Sequence, residues 1–333
     1  MKPKHVVPAV ICLSMIHLAA WTAQKHPEQR DPLAHTFSIV AFDPATGEMA
    51  VGVQSHWFAV GTIVSWGTSG VGVVATQSFV NPAYGPEGLE LMALGKAAGE
   101  ALNMLVDRDE GRDFRQVAFL DAHGNVANYT GQKCIRFASG ETGEHFSVQA
   151  NMMLNDQVVP AMSKAYREGT GLPLAERVLK AMIAAQEAGG DIRGKQSAAL
   201  IVVGPQRVEE PWLDKKIDLR VDDHSEPLKE LERLLSVYRA YDHMNRGDLA
   251  VEHNDMELAL KEYGAAEALF PENLEMKFWK AVSLANSNQL PEALPIFKYV
   301  FERDANWREL LRRLPESGLI TVSDSELEKI TNQ

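Results

Sequence analysis

The hydrophobic pattern opens with two short apolar runs about a turn. Ile39, Val40 and Phe42 have the β-branched and aromatic character of a strand, Pro44 and Gly47 carry turn chemistry, and Met49, Val51 and Val53 alternate with small residues beyond it. This predicts paired strands over residues 36–55, with the hydroxyl residue Thr36 at the head of the first. A third strand is predicted at 71–77. The following loop, 81–88, holds two prolines and two glycines, and the rigid scaffold it forms is the kind that carries binding residues. Leu89, Met92, Ala93, Leu102 and Leu105 then share a helical face, with Gly111 past its end.

A hairpin follows, with strands at 116–120 and 126–130 about the turn 121–125. Further strands are predicted at 134–137 and 145–149, helices at 157–167 and 174–188, and a buried strand at 198–203. Strands, helix, strands, two helices and strand is an order that favours antiparallel sheet layers covered by helices over regular βαβ winding. Residues 204–227 form a Pro- and charge-rich connector with an edge strand at 217–221. Beyond it the pattern turns helical. Ala259, Leu260, Tyr263 and Ala266 recur 34 residues later as Ala293, Leu294, Phe297 and Val300, which is the tetratricopeptide period. A nonspecific helical hairpin is the alternative reading.

With 333 residues, 45% hydrophobic and 23% charged, the chain has room for two domains and a large core. Its formal charge of −12, with no basic cluster, argues against a nucleic-acid partner, since binding to phosphates depends on clustered Lys and Arg. Residues 36–95 contain no Lys or Arg, as expected of buried sheet. The two cysteines, Cys12 and Cys134, cannot form an internal disulfide once a leader is removed, and Cys134 reads as a small buried apolar residue. Lys2, Lys4 and His5 precede the apolar run 6–21, with Ala19, Ala20 and Ala23 at its end, in signal-peptide order. The run is shorter than the ~20 residues of a spanning helix. An exported protein, periplasmic or extracellular, is therefore expected; an uncleaved N-terminal anchor is the alternative. The expected division is a signal peptide at 1–23, a polar tether at 24–35, a sandwich domain at 36–223 and a helical domain at 224–333.

Several chemistries lack their motifs. There is no Gly-X-Ser-X-Gly, no Walker phosphate loop and no His-Glu-x-x-His helix. His56, His123 and His145 show no ligand spacing, and Gly70-Val71-Gly72 lacks the third glycine of a dinucleotide fingerprint. No metal or cofactor is expected.

Taken together, Thr36-Phe-Ser-Ile-Val-Ala, Asp43-Pro-Ala-Thr-Gly-Glu48, Ala75-Thr-Gln77, the 81–88 loop, Tyr129-Thr-Gly131 and Arg193-Gly-Lys-Gln-Ser-Ala-Ala-Leu200 resemble domain of unknown function family 1028, which is grouped with the N-terminal nucleophile (Ntn) hydrolases. The resemblance covers roughly residues 36–223 and implies a four-layer αββα sandwich. In the superfamily an N-terminal Thr, Ser or Cys attacks an amide while its own α-amine, of pKa about 7.7–8.0, takes the proton. Thr36 is the matching position, as nucleophile and α-amine base. Here Ala34-His35 precedes it, so exposing it requires a second cut or autoproteolysis. A further departure is the absence of any lysine between Thr36 and Lys96.

Such a site needs donors for the developing oxyanion. Asn151, Gln77 and Asn81 are the uncharged polar candidates beside buried strands, with Asn151 and Gln77 assigned as the oxyanion donors. Substrate binding is assigned to Asn81, Tyr84, Arg115, Arg193, Gln196 and Ser197, with the two arginines able to hold a carboxylate bidentately. For each, a structural hydrogen bond or ion pair is the competing reading. Two function classes follow: an exported amidohydrolase acting on a small-molecule or peptide-like amide, or a non-catalytic sandwich that binds a ligand or protein. In both, the helical tail offers a surface for a protein partner; a homo-oligomer is a further expectation.

Overall fold

The computed structural model describes residues 33–333; the expected signal peptide and residues 24–32 of the tether lie outside the described residues. The chain begins with β1 (Leu33–Ala34), β2 (Thr36–Phe42), β3 (Met49–Ser55), β4 (Ser65–Thr68) and β5 (Gly72–Phe79). Helices α1 (Tyr84–Ala93) and α2 (Ala98–Arg108) follow, then β6 (Arg115–Asp121), β7 (Val126–Thr130), β8 (Ser139–Gly143) and β9 (Phe146–Ala150). Next come α3 (Val158–Glu168), α4 (Leu174–Glu187), β10 (Ser197–Val203) and β11 (Lys215–Val221). The remainder is helical: α5 (Pro227–Glu252), α6 (Met256–Leu269), α7 (Leu274–Asn286), α8 (Leu290–Arg303), α9 (Asn306–Arg313) and α10 (Asp324–Thr331).

All ladders are antiparallel and form two sheets. In the first, β5, β6 and β7 lie side by side, and β4 and β1 share the other edge of β5. The second runs β11-β10-β3-β2-β9-β8. Alternation along the strands sorts side chains between layers. Val40, Val51, Val53 and Ile201 of the second sheet meet Val73, Ala75, Ala118 and Leu120 of the first. On the far side of the first sheet, Val74, Val117 and Phe119 are covered by Leu89 and Met92 of α1 and Leu102 and Leu105 of α2. Ile39, Val148 and Leu200 pack outward against α3, α4 and the first turns of α5. Contact is close enough at Gly88 that a Cβ would lie 2.3 Å from the Phe119 ring.

The hairpin is paired as expected, from Gln116↔Thr130 to Leu120↔Val126, and β11 is the edge strand predicted at 217–221. The single helical face through Leu89 and Leu105 is divided between two helices. Gly95, at φ 89°, ends α1, and both pieces keep the face because both lie on the same sheet. The strand predicted at 134–137 is a loop instead. There the Cys134 N–H turns back to the Gly131 carbonyl, and Met152 and Met153 donate to Ile135 and Phe137. The more polar residues of β8 pair with β9 in its place, because an edge strand is defined by backbone pairing. Ala34 and His35, assigned to the tether, are buried, at 0% and 1% exposure.

Helix α5 serves two cores. Leu228, Leu231 and Leu235 join the core outside the second sheet, whereas Ala240, Met244 and Ala250 pack with Ala259, Tyr263, Ala266 and Met276. In α6 and α8 the residues related by the 34-residue spacing, Ala259 and Ala293, Tyr263 and Phe297, Ala266 and Val300, are all buried. Among the described residues no helix is long and apolar enough to cross a membrane.

Candidate functional site at the sheet junction

The chain changes sheets at one residue. Ala34 pairs with Ser78 in the first sheet, Thr36 pairs with Ser55 in the second, and His35 lies between. The His35 carbonyl, which precedes Thr36, accepts from the Ser55 hydroxyl at 2.6 Å and from Arg193 Nη2 at 2.8 Å. Asp191, whose side chain is fully buried, fixes this guanidinium through Nε at 3.0 Å and Nη2 at 2.7 Å. A bidentate clamp of this kind holds a donor in one orientation. The Thr36 hydroxyl donates to the Ala34 carbonyl at 2.7 Å.

Thr36 is gripped by its own carbonyl as well, which accepts from the Asn151 backbone N–H at 3.1 Å, Gln77 Nε2 at 3.1 Å and Asn151 Nδ2 at 3.4 Å. Gln77 and Asn151 both donate to Gln116 Oε1, at 2.7 and 2.9 Å. Gln116 in turn reaches Thr130 and the Ala150 carbonyl. Nearby, Gln149 donates to Ser38 at 2.6 Å. A buried amide network therefore crosses from β5 and β6 to the second sheet at the point where Thr36 enters it.

His35 Nδ1 donates to Asn151 Oδ1 at 2.7 Å, an assignment that follows because Asn151 Nδ2 is already spent on Gln116 and Thr36. Burial pushes the His35 pKa down, and the Arg193 charge adds to this against the opposing effects of Asn151 and Asp191. The imidazole is thus neutral near pH 7, and its Nε2 has no partner. Gln77 Oε1 is likewise buried and unpaired, and Ser78 holds a left-handed φ of 77°. Unpaired buried groups and a strained non-glycine residue in one place are features that concentrate at functional sites.

The site residues expected from sequence divide into groups. Thr36, Gln77, Asn151 and Arg193 come together. Gln77 and Asn151, expected as oxyanion donors, bond the carbonyl after the Thr36 side chain, whereas Arg193, expected to bind substrate, bonds the carbonyl before it. Ser197 lies across β3 from Thr36, but its hydroxyl donates to the Trp57 carbonyl and accepts from Val60 N–H, and Gln196 bonds Asp223. These two hold flanking loops.

Asn81, Tyr84 and Arg115 belong to a second cluster, beside a cleft of about 490 Å³ lined by Asn81, Tyr84, Glu87, Arg108 and Asp109. Arg115 Nε and Tyr84 OH donate to Asp109 Oδ2 at 2.9 and 3.1 Å, and Arg115 Nη1 donates to the Phe79 carbonyl at 2.7 Å. Asn81 Oδ1 receives the Ala83 N–H, closing the turn into α1. Burial acts to raise the Asp109 pKa, but the bonds from Arg115, Gly111 and Tyr84 outweigh it and hold the carboxyl below its ordinary range. Tyr84 is pushed up, first by burial and then by Asp109. Phe79 links the clusters, since its ring meets the His35 ring edge-on at 5.9 Å. Cys134 is half-buried, and burial pushes its thiol pKa up.

Sequence reasoning missed His35, Ser55, Gln116 and Gln149. Their common signal is a polar residue in or entering a strand whose middle is apolar and buried.

No curated protein matches the chain. A crystal structure of a protein from Silicibacter pomeroyi, carrying the same family designation as the match below, is similar over 61% of this chain and 88% of its own, with 31% identity and a TM-score of 0.54. The model of a family of unknown function matches residues 36–231, more than half of the chain, and its first matched residue is the threonine at the sheet junction. The chain belongs to the family of unknown function DUF1028.

Proposed function

We propose that the protein is an exported amide hydrolase of the N-terminal nucleophile type that frees its own nucleophile by cutting the His35–Thr36 bond. The observation that carries this reading is the His35 carbonyl, gripped by Ser55 and Arg193 directly ahead of a buried threonine hydroxyl. Attack of Thr36 Oγ1 on that carbonyl carbon places negative charge on an oxygen already held by two donors, one of them cationic. Each such donor typically contributes about 2.7–4 kcal/mol to a transition state. The C–N bond then breaks, the threonine nitrogen takes the hydroxyl proton, and an ester joins His35 to Thr36 Oγ1. Water hydrolyses the ester, leaving a His35 carboxylate and a Thr36 with free hydroxyl and free α-amine. That amine serves as base in later turnovers on external amides.

The layering of helices on both outer faces of two antiparallel sheets supports an Ntn-type sandwich. The buried 34-residue correspondence supports a tetratricopeptide-like tail with a surface for a protein partner. Intact mass and N-terminal sequencing of the purified full-length protein test the reading. A chain beginning at Thr36 is expected from the parent and from Thr36→Ser, and none from Thr36→Ala. If the parent stays whole, or the Ala variant is cut equally, the hydrolase reading fails and a non-catalytic binding role takes its place.

A further inference from the structure

We infer that the groove filled by β1 is the acyl side of the substrate site, and that the substrate is an extended peptide with a small residue second before the scissile amide and a neutral hydrogen-bonding side chain directly before it. This rests on the hydrolase reading above and adds what the site recognises.

The groove has a backbone part. Strand β4 pairs with β5 over Gly72 to Ala75, and β1 occupies the same edge further on, opposite Ser78 and Phe79. With the chain cut after His35, β1 is a two-residue ladder no longer tied to β2, and pairing that short does not persist on its own. Its departure leaves the peptide groups of Ser78 and Phe79 open. An open strand edge accepts another extended chain through the same main-chain bonds, with side-chain pockets setting preference.

The pockets can be read from the residues that fill them. Ala34 is fully buried among Val40, Ala75 and the other side chains between the sheets, so a large side chain in its place is overpacked. The His35 ring meets Phe79 edge-on and donates to Asn151 Oδ1. Because Gln116 and Thr36 fix the orientation of Asn151, the pocket presents an acceptor and asks for a donor. Histidine, asparagine or glutamine supplies one without a charge. A glutamate brings only acceptors, and phenylalanine leaves Asn151 unpaired. The next atom along is the carbonyl that Ser55 and Arg193 hold.

A peptide seated this way places its scissile carbonyl where the His35 carbonyl lies. The Thr36 hydroxyl attacks with its proton passing to the α-amine, the departing amine takes that proton as the C–N bond breaks, and water cleaves the resulting ester to give a peptide acid and restore Thr36.

The test uses the full-length protein after it has cut itself, assayed with acetyl-Leu-Ala-His anilide, the Leu-Ala-Glu and Leu-Trp-His analogues, and hexanoyl anilide. We expect kcat/KM for the first to exceed each analogue by roughly 100-fold, the scale set by leaving a buried acceptor without its donor or by overfilling a packed pocket. Varying the peptide leaves the fold untouched. Equal rates across the four, or preference for hexanoyl anilide, overturns the inference while leaving the hydrolase reading standing. A parent chain that neither cuts itself nor turns over any of the four overturns both.

Discussion

Two polar clusters lie on either side of Phe79, and they are built differently. In the Asp109 cluster, the carboxylate receives Arg115, Tyr84 and the Gly111 N–H, an arrangement that satisfies its charge on several sides. At the sheet junction, His35 Nε2 and Gln77 Oε1 are buried without partners and Ser78 is strained, while two donors converge on one carbonyl. Satisfied polar groups fix a structure, whereas unsatisfied ones are retained against a stability penalty of about 1–3 kcal/mol each. On the proposed function, this contrast marks the junction as the reactive site and the Asp109 cluster as its buttress.

The comparison breaks first on the buttress side. Asp109→Ala removes at once the acceptor of Arg115 Nε, the Tyr84 hydroxyl and the Gly111 N–H, and is expected to destabilise the fold by about 3–5 kcal/mol in urea unfolding, while surviving folded protein cuts itself at the parent rate. Ser55→Ala should do the opposite. It removes one donor from the His35 carbonyl and is expected to slow self-cleavage by about 10²–10³-fold with little change in the urea midpoint. A Ser55→Ala chain that cuts at the parent rate removes that carbonyl from the mechanism.

Acid sharpens the distinction. His35 is held neutral in the fold, so its folded pKa lies below the ordinary 6.5. The unfolded chain takes up its proton first, and the stability present above pH 6.5 is lost as pH falls from there through the lowered value. The Asp109 carboxyl is also depressed, but from 3.8, so its contribution is lost only in stronger acid. Unfolding of the uncut Thr36→Ala chain measured against pH should show two separate declines, and adding His35→Gln should erase the milder one. The smallest effect belongs to the exposed surface: Lys96→Ala breaks a 2.6 Å pair with Glu100 and should change stability by no more than about 0.5 kcal/mol.

Much of the fold was legible because its strands are β-branched and its hairpin turn carries the right residues. The strands around 36–55 and the 116–130 hairpin followed from β-branched residues about turn chemistry, and the buried run at 198–203 from its unbroken apolar stretch. Missed elements were those whose identity depends on a partner: β1 is two residues long, and β8 is Ser-Gly-Glu-Thr-Gly, with no side-chain signature of a strand. The division at Gly95 was hidden because one sheet surface imposes one apolar face on two helices. At the site, Thr36 and Arg193 stood out by position and charge. Ser55 and His35 did not, because the Ser55 hydroxyl meets the His35 carbonyl, and the His35 imidazole meets the Asn151 side chain, only when the fold brings residues 35, 55 and 151 together.

Helix α5 has a mechanical meaning. Its 26 residues extend about 39 Å without a break, the first turns seated on the second sheet and the last turns inside the helical tail. The region shared with the family ends at residue 231, about a turn and a half into this rod. The tail is therefore not a bead on a string but an extension spliced onto the sandwich in mid-helix, and a load applied to it reaches Leu231 and Leu235 as a torque, with no linker to absorb it.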